Sequence, residues 1–160
     1  DLPRRRPAMT LREQFTARLK EAMLAKQADK VSAIRMITAR LKDVDIASRP
    51  KGIPQVPDDE IIAMLRGMVK SRRESVDLYR QGKRDDLVAK EEGEIAVIES
   101  FLPQQMDDGA MQQAVADAVA EAGATTIKDM GKVMAALKSK HGAVLDMGKA
   151  GPMVKAKLGG

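Results

Sequence analysis

Apolar residues recur at intervals of three and four along most of this chain, and proline or glycine interrupts the recurrence at residues 49–57, 82, 103, 123 and 142. A 3.6-residue turn puts such positions on one face, whereas strands need alternation, so the pattern predicts an all-α fold. Leu102-Pro103 is the sharpest break. Proline has no amide proton and disfavours the helical conformation of the residue before it. Gly123 closes the next helix, and Thr126 with Asp129 has the spacing of a capping pair that opens another. The expected organisation is a four-helix body over residues 10–102 followed by a small three-helix tail domain over residues 103–160. Met9-Thr10-Leu11 reads as a natural start, and residues 1–9 are set apart as an arm, disordered or left over from cloning.

Within the body the first helix is expected over about 10–26, with Thr10 and Glu13 as a capping box. The second spans about 27–47, and the proline-rich stretch 49–57 cannot stay helical. Asp58-Asp59-Glu60 places acids on the first turn of a long third helix, favourable for its dipole. A turn at Gln81-Gly82-Lys83 leads to a fourth helix over about 85–102. The tail is expected to hold helices at about 107–122 and 127–140, with Gly142 as a stop, and a last one around 152–158 with Pro152 in its first turn.

Two charges fall inside apolar stripes: Arg72 in that of the third helix and Glu91 in that of the fourth. Folding the pair back about Gly82 makes position 72 face position 92, so Arg72 and Glu91 are expected to form a partly buried ion pair. An unpaired buried charge would cost several kcal/mol, which makes pairing the cheaper arrangement.

The net charge of +5 is spread as mixed signs, which by itself describes a solvated helical surface. Catalytic chemistry finds little to build on. Without cysteine there is no thiol nucleophile and no zinc–thiolate site. The six serines are isolated, and no phosphate-binding glycine loop is present. The single histidine, His141, sits at an expected helix end, where a cation suits the dipole. No catalytic residue, metal ligand or cofactor is therefore assigned. No apolar run reaches membrane-spanning length and no signal-peptide core is visible, so a cytoplasmic protein without membrane association is expected.

Anion binding is the chemistry the residues do suggest. In the tail, Lys128 and Lys132 are four apart near a helix start, with Lys138 and Lys140 one or two turns on. Lysines and free helix-end amides together suit phosphate oxygens. In the body, Lys70, Arg73, Lys83 and Arg84 lie towards the hairpin turn. Ordinary solubility would use the same side chains. With only Phe15, Tyr79 and Phe101 as aromatics, base stacking has little support, and any RNA contact would read backbone and shape.

Six blocks in order carry a family resemblance. They are Asp29-Lys30-Val31-Ser32-Ala33-Ile34-Arg35-Met36; the run from Arg72-Arg73-Glu74-Ser75 to Tyr79; Gly82-Lys83-Arg84-Asp85-Asp86-Leu87; Lys90-Glu91-Glu92 with Glu94-Ile95; Phe101-Leu102-Pro103-Gln104-Gln105; and Asp129-Met130-Gly131-Lys132-Val133-Met134. Together they resemble the GatB/YqeY family, small free-standing proteins similar to the C-terminal helical part of the GatB subunit of tRNA-dependent amidotransferase. The resemblance implies tRNA as partner, with an amidotransferase or another translation-linked protein beside it. Glutamine-dependent carbon–nitrogen ligase activity attaches to the family name, but the chain resembles only the helical portion that grips tRNA. The competing expectation is a helical protein–protein adaptor without RNA binding, using Met111, Met147 or Met153 as contacts.

Overall fold

The computed structural model describes residues 9–142 and 144–159. The arm expected over residues 1–9 therefore lies, apart from Met9, outside the described residues. Seven α-helices and two single 3₁₀ turns follow one another, and among the described residues there is no strand: the fold is all-α. The chain divides into two compact units, one ending at Leu102 and one beginning at Pro103.

The first unit holds α1 (Leu11–Leu24), α2 (Ala28–Ser48), α3 (Asp58–Gln81) and α4 (Asp85–Glu99). Thr10 and Glu13 form the capping box at the start of α1. The backbone amide of Leu11 donates to Asp58 at 3.1 Å, and Phe15 meets Phe101 edge-on with centroids 4.9 Å apart. The start of α1 thus lies with the start of α3 and the residues just beyond α4. The core between the helices is built on fully buried Phe15, Ile37, Ile61, Leu65 and Ile98.

Residues 49–57 are less irregular than their prolines predict. Arg49–Lys51 makes one 3₁₀ turn with Pro50 in its first positions, where a missing amide proton costs nothing, and Gly52 ends it at φ +80°. α4 stops at Glu99, short of the expected 102, and two turn hydrogen bonds carry the chain to Leu102.

Both helical hairpins of this unit close in the same way. Lys26 and Lys83 adopt left-handed conformations, φ +55° and +54°. Gln27 then donates to Ala22, and Arg84 to Tyr79, closing Schellman motifs. Gly82, which sequence pattern makes the natural pivot, instead has φ −81°.

The second unit packs α5 (Asp108–Ala122), α6 (Met130–His141) and α7 (Met147–Lys157) around buried Met111, Val115, Val133, Leu137, Leu145 and Val154. Asp107 caps α5, and Gly123 ends it at φ +61°. The helix expected over 127–140 begins as a 3₁₀ turn at Ile127–Asp129 and becomes α-helical only at Met130. The last helix starts five residues before the expected 152, capped by Asp146, so Pro152 lies inside it and not at its first turn. The lost Gly148 hydrogen bond is offset by burying Ala150 and Val154 on one face.

Candidate nucleic-acid interface

The tail segregates its charge by helix. α5 carries Asp108, Asp117 and Glu121 and no base, whereas α6 and α7 carry Lys132, Lys138, Lys140, Lys149, Lys155 and Lys157 and no acid. A nearly balanced tail is therefore strongly cationic on two of its three helices. On α6 the exposed residues between the lysines are small: Gly131, Ala135 and Ser139, spaced by four. A Cβ on Gly131 would meet no heavy atom within 4 Å, so a backbone from outside can come close there.

The four expected tail cations are not equivalent. The Lys132 ammonium donates to the carbonyl of Ala122 at 3.2 Å, satisfying the C-terminal end of α5. Lys140 sits 3.6 Å from Glu121, and on α7 Lys149 sits 3.6 Å from Asp108. Lys128, Lys138, Lys155 and Lys157 are exposed and ion-pair with nothing among the described residues. The helix start that sequence pattern offered to a phosphate holds an anion of its own. Asp129 accepts from the amides of Thr125 at 3.0 Å and Thr126 at 3.3 Å, and these hydrogen bonds hold its carboxyl below the usual range. Sequence reasoning missed Lys155 and Lys157; the unbroken lack of acids after Asp146 was the available signal.

In the body, Arg73 pairs with Glu99 and Arg80 with Glu92 across the α3–α4 hairpin. Arg84 holds Asp86 through two hydrogen bonds of 3.2 and 3.1 Å, which keep that carboxyl low and the guanidinium high. Lys83 and Lys70 stay exposed. Two of the four expected body cations, Arg73 and Arg84, are thus paired within their own hairpin.

The expected Arg72–Glu91 pair is replaced by Arg72–Glu94. The guanidinium Nε donates to Glu94 at 3.2 Å, and its other nitrogens reach the Met68 carbonyl and the sulfur of Met36. The turn occupies residues 82–84 and is centred on Lys83, one residue beyond the pivot used to align the helices. Position 72 therefore faces 94 and not 92, and Glu91 is left half-buried on the side of α4.

The partly buried pair that patterning gave no sign of is Arg12–Asp45. Asp45, 7% exposed, accepts from both terminal nitrogens of Arg12 at 2.9 and 2.8 Å and from the amide of Val56 at 2.9 Å. The Arg12 hydrogen bonds, above all, hold its carboxyl below the usual range. Of the methionines suggested as contacts, Met111 is buried and cannot serve, Met153 is half-buried, and Met147 is exposed. Among the described residues no three carboxylate or imidazole side chains gather to hold a metal ion, and no helix is long and apolar enough to cross a membrane.

One further concavity stands out in the body. A groove of about 1120 Å³ opens between the end of α1, the start of α2 and the length of α4. Its floor is Ala22, Ile34, Ala89, Gly93 and Val97, and charged residues including Arg18, Glu21 and Lys90 line its rim.

The sequence profile of the Yqey-like protein family matches residues 12–158, across both units. The chain belongs to this family. Curated relatives include "Altered inheritance of mitochondria protein 41, mitochondrial" of Saccharomyces cerevisiae, 35% identical over 86 residues, 54% of this chain and 45% of the relative. The protein of the same name from Eremothecium gossypii is 39% identical over 84 residues, 52% of this chain and 44% of the relative. An uncharacterized Schizosaccharomyces pombe protein is 25% identical over 87 residues, 54% of this chain and 68% of the relative. The chain spans about half the length of the first two relatives. Within this YqeY-like chain, three of the six resemblance blocks supply groove-lining residues: Asp29 and Ser32, Asp86, and Lys90 with Glu94.

Proposed function

We propose that this YqeY-like protein is a non-catalytic accessory module whose tail contacts the phosphate backbone of tRNA. The observation that carries the reading is the segregation of charge, with every lysine of the tail's last two helices free of acidic neighbours on its own helix. Small residues between the α6 lysines favour close approach of a ribose–phosphate backbone, and lysine–phosphate contacts position a nucleic acid without reading its bases. Phe15 and Phe101 are buried, and the tail has no aromatic residue, which supports recognition of folded shape over stacking on single strands. The resemblance to the GatB tail selects tRNA among RNAs. It also suggests an amidotransferase or another translation-linked protein as the partner in which glutamine-dependent carbon–nitrogen ligase chemistry resides. The proposed site of action is the cytoplasm; the Saccharomyces cerevisiae and Eremothecium gossypii relatives bear mitochondrial names.

Charge reversal at the unpaired lysines distinguishes this reading from a solubility role. Mobility shift with unmodified tRNA compares the wild type with a variant carrying Lys128→Glu, Lys138→Glu, Lys155→Glu and Lys157→Glu. Affinity is expected to fall at least tenfold in the variant, with unchanged helical circular dichroism. An affinity that survives all four reversals would overturn the proposal. Lys132→Gln, by contrast, is expected to lower tail stability through the lost Ala122 contact and to change affinity little.

A further inference from the structure

The groove along α4 plays no part in the tRNA reading and carries an independent inference. Its α4 side presents Ala89, Gly93, Ala96 and Ser100, spaced by three and four as in a seam that packs against another helix. Glycine inside a helix is less stable than alanine, and nothing within the molecule requires it at Gly93. A Cβ there would meet no heavy atom within 4 Å. A glycine facing open space at the centre of a groove admits close approach of a second backbone. A helix about 10 Å across would fill the 1120 Å³ over roughly 14 Å, between two and three turns, about two-thirds of the stretch of α4 that lines it.

The charges indicate which helix. Arg18 lies at the C-terminal end of α4, its Nη2 donating to Ser100 at 3.0 Å, and Glu21 follows it one turn along the α1 wall. At the N-terminal end of α4 the groove is lined by Asp86 and Lys90. A two-fold axis through Gly93 lays a second α4 antiparallel on the first, with position 86 over position 100 and position 90 over position 96. Asp86 of one copy, which also holds Arg84 of its own chain, then reaches Arg18 of the other, and Lys90 reaches Glu21. Each pair is of opposite sign, and the symmetry forms each contact twice. Lys90 and Glu21 are exposed and ion-pair with nothing among the described residues. We infer that the groove is the interface of a symmetric dimer in which α4 packs on α4 of a second copy at Gly93.

The chain has no cysteine, so a single one reports this contact without background. Gly93→Cys in the full chain is expected to form a disulfide-linked dimer under mild oxidation, whereas Gly67→Cys, an equally open glycine on α3, stays monomeric. Sedimentation equilibrium of the cysteine-free protein is expected to show a monomer–dimer equilibrium. Lys90→Glu shifts it at least tenfold towards monomer, and adding Glu21→Lys restores the dimer. Both substituted side chains are exposed, so the fold is not at stake, and circular dichroism checks it. A monomer at every accessible concentration, crosslinking at position 93 no faster than at 67, or no rescue by the double charge exchange would each overturn the inference, leaving the groove to another protein.

Discussion

Asp45 is the residue on which the base of the first unit turns. One carboxylate joins Arg12 of α1 to the amide of Val56, while Arg12 also donates to the Val56 carbonyl at 3.0 Å. Removing it leaves a guanidinium and an amide without their partner, and Asp45→Ala is expected to cost about 2–3 kcal/mol, read from urea unfolding. The sign of the pH dependence follows from the lowered folded-state value. The unfolded carboxyl, at about 3.9, binds its proton first, so this stabilisation is complete above that pH and is lost as pH falls through the folded value. Asp45→Asn is expected to flatten that part of the acid limb, and an unchanged limb would contradict the assignment. Lys26 is the second test at this scale. Its left-handed conformation costs an L-residue energy that glycine avoids, so Lys26→Gly is expected to stabilise the unit by about 0.5–1 kcal/mol, measured as a raised urea midpoint.

The helices themselves were largely legible, because their signals are local. The Thr10–Glu13 box, the acids at the start of α3 and the αL glycine after α5 each act within one turn of the residues that encode them. What escaped depended on longer range. The Schellman geometry put the left-handed residue at Lys83 and not Gly82, which moved the hairpin centre by one residue and gave Arg72 to Glu94. Proline usually opens a helix, so sequence pattern starts α7 at Pro152, and the packing of Ala150 and Val154 explains why the helix runs through it. The Arg12–Asp45 pair joins positions 33 residues apart and leaves no periodic trace. Open glycines remain as adjustable features of these elements. Gly67→Ala in the middle of α3, where a Cβ meets nothing within 4 Å, is expected to add about 0.5–1 kcal/mol by helix propensity alone, visible as a thermal midpoint raised by a few degrees.

At the scale of the molecule, the two units divide the chemistry between them. In the first, several arginines pair with acids of the same unit, as in Arg73–Glu99 and Arg84–Asp86. The second gathers acids on α5 and lysines on α6 and α7. Of the site, Lys128 and Lys138 were visible as exposed cations from spacing. That Lys132 and Lys140 attend to α5 needed the packing of one helix end against another. The central claim is that the unpaired tail lysines meet RNA phosphates, and the salt dependence of tRNA binding tests it most directly. Four phosphate contacts predict a slope of about −3 to −4 in log affinity against log salt. That slope is expected to collapse towards zero when Lys128, Lys138, Lys155 and Lys157 are reversed to glutamate. An equally steep slope in the reversed variant, or no salt-dependent binding by the wild type, would contradict the account.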